Sequence, residues 1–164
     1  MQRTTLRDAS GLEIMGVGLH WDDVKIGDRF RTLGRTITEA DITAYVAAVG
    51  MVEEMFTNLE YIQEVSVIGA RPVPGSLVFC TSEALLMQST MQRTGMAFLE
   101  ADIKVHSPTS AGDTIHVECE VVEARATSKP GRGLLRTSNK VVNQRGEVVL
   151  TYNPLRMVKS KPTS

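Results

Sequence analysis

From Gly95 onward the chain alternates between apolar and polar positions. Ile103 and Val105 sit among Asp102, Lys104 and His106, and Ile115, Val117, Cys119 and Val121 sit among His116, Glu118 and Glu120. A period of two predicts half-buried strands, and residues 134–142 and 148–158 add two more. Turns fall at Ser110-Ala111-Gly112-Asp113, Lys129-Pro130-Gly131 and Gln144-Arg145-Gly146, the last reading as a hairpin. Asn153-Pro154 interrupts the final strand, as an edge or a bulge would. Upstream the period lengthens. Thr38-Glu39-Ala40-Asp41 has the form of a helix N-cap with an acidic third residue; Ile42, Tyr45, Val46 and Val49 follow at helical spacing, and Gly50 is placed to end the helix. Residues 51–70 are ambiguous, with a short helix at 59–65. Two prolines and two glycines make 68–75 non-helical. A second helix spans 76–91 and is apolar on most of its circumference, which predicts burial. Short strands at 29–33 and 35–37 precede the first helix.

This order predicts an α+β domain, an antiparallel sheet curled around one apolar helix. Residues 1–20 read as an irregular arm, 21–159 as the domain and 160–164 as a tail. A length of 164 residues with 42% hydrophobic positions suits one ordinary core, and few aromatics leave aliphatic and Met side chains to fill it. Lys and Arg number 18 against 19 Asp and Glu, a balance that argues against a nucleic-acid binder. Cys80 and Cys119 lie in apolar stretches without metal-type spacing and read as small buried hydrophobes. His20, His106 and His116 are scattered, so no metal site or cofactor is expected. No stretch is long and apolar enough for a signal or membrane segment, and a cytoplasmic protein is the expectation.

The blocks Thr38-Glu39-Ala40-Asp41-Ile42, Arg71-Pro72-Val73-Pro74-Gly75, Ser110-Ala111-Gly112-Asp113-Thr114-Ile115 and Asn143-Gln144-Arg145-Gly146-Glu147 resemble, in order, the MaoC-like dehydratases. That family includes the (R)-specific enoyl-CoA hydratases. Pro130-Gly131-Arg132-Gly133 is similar to the mesaconyl-CoA hydratase-like group in particular. The likeness runs from about Trp21 to Lys159. It implies a hot-dog fold, a homodimer or larger assembly, and an acyl-CoA thioester bound near the interface between copies.

In that family a segment of the form Gly-Asp-x-Asn-Pro-x-His follows the first helix, and its Asp and His move the water and the proton. This chain reads Gly50-Met51-Val52-Glu53-Glu54-Met55-Phe56. Met51 stands at the family's Asp and Phe56 at its His, so both become lining rather than catalytic positions. Asn58-Leu59-Glu60-Tyr61 keeps the register. Gly75 matches the family's oxyanion-hole glycine, at the start of the apolar helix, where free amides and the helix dipole favour a developing enolate. Pro74 and Ser76 flank it, and Arg71 is placed to pair with a CoA phosphate or to hold the loop.

Glu53 and Glu54 are the available replacements for the dyad. Either one of them activates water or abstracts the α-proton, or both are solvated loop acids. The leading expectation is a hydratase or dehydratase of acyl-CoA thioesters with a divergent site. The alternatives are a hot-dog thioesterase using one carboxylate and the Gly75 amide, or a silent acyl-CoA-binding or structural subunit whose hot-dog partner supplies the dyad.

Overall fold

In the computed structural model, which describes residues 3–65 and 70–162, the two periodicities separate into helices and sheet. β1 (Arg29–Arg31) and β2 (Arg35–Thr36) come first. Then follow α1 (Glu39–Val49), α2 (Glu54–Thr57), α3 (Leu59–Val65) and α4 (Gly75–Leu86). The strands β3 (Gly95–Glu100), β4 (Ile103–Val105), β5 (Thr114–Ala126), β6 (Arg132–Val142), β7 (Val148–Tyr152) and β8 (Leu155–Lys159) complete the chain. All pairings are antiparallel. β1 and β2 flank β5, β5 pairs β6, and β6 pairs both β7 and β8. On the far side β4 lies against β7 and β3 against β8, so each outer strand is one line in two pieces. Asn153-Pro154 marks the break between β7 and β8. Because β3 and β4 lie outside it, the interruption is internal to the sheet and not at its edge.

Local chemistry fixes the element ends. The Thr38 hydroxyl accepts from the Asp41 amide at 3.2 Å while the Asp41 carboxylate accepts from the Thr38 amide at 2.8 Å, and Gly50 closes α1 in the left-handed region at φ 68°. At the turn before β5 the Asp113 carboxylate accepts from the Ser110 amide, Gln144 Nε2 and Arg145 Nη1, at 3.0, 2.7 and 2.9 Å. This ties that turn to the β6–β7 hairpin. Burial by itself would raise the Asp113 carboxyl; the Ser110, Gln144 and Arg145 bonds outweigh it and hold the group below its ordinary 3.8. A carboxylate depressed in the folded state stabilises it fully above pH 3.8, and the contribution is lost as pH falls through the lower folded value. Thermal melts across the acid range should therefore show less loss of stability below that point in Asp113→Asn, which starts lower at neutral pH. Parallel curves for the two proteins would contradict it.

α4 packs into the concave face of the sheet. Leu77, Val78, Leu85 and Leu86 join Ile115, Val117, Val141, Val149, Leu150 and Tyr152 in the main core. Three expectations change here. The α-helix begins at Gly75 and ends at Leu86, and Met87–Met91 continue as a π-helical turn. Burial is one-sided: Met87 is exposed, and Phe79 and Glu83 are half-buried. Cys80 is exposed while Cys119 is buried. One curled sheet covers one side of a helix, and the other side has no second layer within a single chain. The Cys119 thiol is pushed up to about 12 by burial and stays protonated.

β3 and β4 also depart from expectation. All of their residues are exposed, including Met96, Phe98, Leu99, Ile103 and Val105. Residues 17–20, at the end of the arm, are buried. Leu19 and Val24 form a second cluster with Val121, Leu135 and Val158. Trp21 lies flat over Gly133, where any Cβ would collide with the indole, and its Nε1 donates to Ser160 Oγ at 2.8 Å. The buried Asp23 carboxylate accepts from the His20 amide and from Thr4 Oγ1, both at 2.7 Å, and Lys161 Nζ lies 3.3 Å away. Arm and tail are thus joined through one carboxylate. Among the described residues no helix is long and apolar enough to cross a membrane.

Candidate functional site

Gly75 opens α4 directly after Pro74, whose backbone is extended at φ −52°, ψ 132°. The Pro74 carbonyl accepts from the amides of Leu77 and Val78, at 2.9 and 3.1 Å, but no side chain caps the helix start. Among the described residues the first-turn amides of Gly75 and Ser76 have no acceptor, and the positive end of the helix dipole lies behind them. Gly75 is exposed and borders a cavity of about 60 Å³ lined also by Val78, Val105, Ser107, Thr109 and Val149. The approach to it is held by a bridge between Pro72 and Ser110 and by the Val73 amide donating to the Thr109 carbonyl at 2.8 Å. Such an arrangement can accommodate an oxygen bearing partial negative charge in mostly apolar surroundings.

The other expected site residues are placed as follows. Pro74 is buried as the N-cap, and Ser76 is exposed on the first turn. Arg71 is turned inward. Its Nε donates to the Phe56 carbonyl at 2.8 Å, and its Nη1 donates to Glu39 Oε2 and Thr43 Oγ1, each at 3.0 Å. The guanidinium thereby pins the α2 segment to α1. Phe56 packs against the main core, and Met51 is half-buried with its amide on the Val46 carbonyl at 3.0 Å. Glu53 and Glu54 are exposed at the start of α2, and neither lines the cavity at Gly75. Glu54 accepts from Asn58 Nδ2 at 3.3 Å, whereas among the described residues the Glu53 carboxylate bonds to no side chain. The segment reading Ile68-Gly69 lies outside the described residues. Among the described residues no three His, Cys, Asp or Glu side chains converge as a metal site would require.

Sequence reasoning passed over Glu83, on α4 two turns beyond Gly75. It forms an ion pair with Arg156 of β8, with side chains only 13% and 6% exposed. Arg156 also lies over the Phe98 ring at 5.6 Å and reaches Thr137 Oγ1 at 3.5 Å. The Tyr152 hydroxyl, buried in the same region, is held far above its ordinary pKa by burial and then by Glu83, and stays neutral. The available signal was a single carboxylate inside an otherwise apolar helix, a residue type almost never buried unless paired.

Comparison with known proteins agrees with this architecture. A family model described as FAS1-like, dehydratase domain region, matches residues 24–152. The MaoC-like dehydratase from Rhodospirillum rubrum is similar at 26% identity, covering 89% of this chain and 100% of that one, with a TM-score of 0.77. The R-hydratase PhaJ1 from Pseudomonas aeruginosa is similar in fold, at 20% identity over 88% of each chain and a TM-score of 0.73. Rv0216 from Mycobacterium tuberculosis, a double hot-dog protein, superposes on 90% of this chain with 46% of its own, at 18% identity and a TM-score of 0.78. No curated protein matches the chain by sequence. The fold is a single α+β hot-dog domain.

Proposed function

Because the chain belongs to the FAS1-like dehydratase-domain family, within the MaoC-like hot-dog proteins, we propose that it binds an acyl-CoA thioester at Gly75 and hydrates or dehydrates it with a rebuilt acid–base group. The observation that carries this is the uncapped helix start of α4 beside a cavity. In the proposed reaction the thioester carbonyl accepts from the Gly75 amide, which draws electron density from the enoyl double bond. A carboxylate takes a proton from water as its oxygen adds to the β-carbon, the enolate forms on the Gly75 amide, and the same carboxylate returns the proton to the α-carbon. Water is added across the double bond, and the carboxylate is regenerated.

With Met51 and Phe56 at the family's proton-handling positions, Glu53 is the preferred carboxylate, since Glu54 is engaged by Asn58. In this reading Met51, Phe56, Pro74 and Ser76 line the approach to the Gly75 amide, while Arg71 holds the α2 segment in place. The likeness of Pro130-Gly131-Arg132-Gly133, at the start of β6, to the mesaconyl-CoA hydratase-like group makes a mesaconyl-type thioester a substrate to test first. The site is completed by a second copy. β3 and β4 present an unpaired backbone edge together with Met96, Phe98, Leu99, Ile103 and Val105, a combination that proteins normally cover.

Purified protein should consume the conjugated double bond of crotonyl- or mesaconyl-type thioesters, and Glu53→Gln should slow this about 100-fold while Glu54→Gln changes it little. Release of free thiol without loss of the double bond would assign a thioesterase instead. Binding without either reaction would assign a silent binding subunit.

A further inference from the structure

Two separate cavities lie in the trough between α4 and the outer strands, one at each end of the helix. At its head β4 and β7 contribute Val105, Val149 and Leu150 to the cavity beside Gly75 and Val78. At the other end of the helix β3 and β8, the continuations of those two strands, border a larger, open chamber of about 250 Å³. Glu83 and Arg156 border it, together with four of the chain's eight methionines, Met87, Met91, Met96 and Met157. Residues 75, 79, 83 and 87 recur every fourth position, so they succeed one another along one face of the helix. Gly75 belongs to the first cavity and Glu83 and Met87 to the second.

Phe79 lines neither cavity but falls between Gly75 and Glu83 along the helix. Its ring meets Phe98 of β3 edge-on, with centroids 6.2 Å apart, and meets Tyr152 of β7 in the same manner at 5.2 Å. Both partners flank the level where the two outer strands are interrupted, at residues 101–102 and 153–154. One aromatic from each strand thus fixes the Phe79 ring across the trough. The ring lies one helical turn, about 6 Å, beyond the Gly75 amide.

Resting on the reading of Gly75 as the thioester site, we propose that Phe79 sets acyl-chain length, closing the trough so that only thioesters with short acyl groups fit. A thioester with its carbonyl on the Gly75 amide keeps its polar pantetheine arm in water, so its apolar acyl group is the part driven along the helix. A short group ends against the Phe79 ring. A long group meets the ring before it reaches the chamber beyond. The flexible methionines of that chamber adapt to irregular apolar shapes, and the π-helical turn Met87–Met91 widens the helix beside it. From the Gly75 end, a long chain therefore reaches the chamber only when the ring is removed.

The test is calorimetric binding of butyryl-CoA and decanoyl-CoA, saturated thioesters that cannot be hydrated, to the full chain and to Phe79→Ala. The unaltered protein should bind butyryl-CoA at least as tightly as decanoyl-CoA. Phe79→Ala should tighten decanoyl-CoA at least about tenfold, as added methylenes become buried, with little change for butyryl-CoA. Phe98→Ala, which removes the β3 ring that braces Phe79, should shift the ratio in the same direction and serves, with the assembly shown unchanged by gel filtration, if Phe79→Ala does not fold. A ratio unchanged within about twofold in the folded variants, or tighter decanoyl-CoA binding by the unaltered protein, overturns the gate alone. Failure of the folded, unaltered protein to bind either thioester overturns both the gate and the assignment of Gly75.

Discussion

Gly75→Pro is expected to lower turnover of an enoyl thioester by about 10²–10³-fold while leaving the melting temperature nearly unchanged. Proline removes the amide hydrogen and little else at this position. Gly75 is the first residue of α4, where proline is favoured because the missing donor has no partner within the helix. Pro74 already has the extended backbone that a following proline requires. A Cβ at Gly75 would come 3.3 Å from Val105 Cγ2, a tight contact with an exposed edge-strand side chain that can move. Gly75→Ala adds that Cβ but keeps the amide, and should cost less than about tenfold in rate, so the two variants separate crowding from loss of the donor. Equal rates in Gly75→Pro and the unaltered protein would remove the amide from the mechanism.

Arg156→Met should destabilise the fold by roughly 3–5 kcal/mol, because it leaves Glu83 buried without its partner. For a chain of this length that corresponds to a fall in melting temperature of about 6–20 °C. The cost arises from the stranded charge and not from the lost attraction. Adding Glu83→Gln to Arg156→Met should therefore restore most of the stability, although each single change is harmful. Arg156 also contributes a cation–π contact to Phe98 and a long bond to Thr137, and these are not recovered in the double variant. Additive losses measured by denaturant unfolding would mean that water or a rearranged neighbour already compensates Glu83.

The elements written in nearby residues were legible before any coordinates. Thr38 and Asp41 satisfy each other's backbone amides three residues apart, Gly50 ends α1 with positive φ, and Gly112, Gly131 and Gly146 adopt positive φ in the expected turns. Gly75 could be placed at the start of a helix because two prolines and a glycine precede an apolar run. Exposure was harder to read. Ile103 and Val105 alternate as a half-buried strand should, yet both are exposed, since alternation specifies two faces and not whether a neighbour covers either. The same limit applies to Cys80, which sits in an apolar stretch on the uncovered side of α4.

By itself the sequence determined what depends on bonds across three or four residues, namely the caps, the turns, and the strand and helix periods. Tertiary structure alone decided which distant residues meet. Glu83 and Arg156, or Phe79, Phe98 and Tyr152, converge only after β3, β7 and β8 have taken their register around the helix. The physical reason is that sheet curvature and register are set by the packing of the whole core. A side chain's period gives the direction it faces along its own element, and the neighbour it encounters there is fixed by that packing.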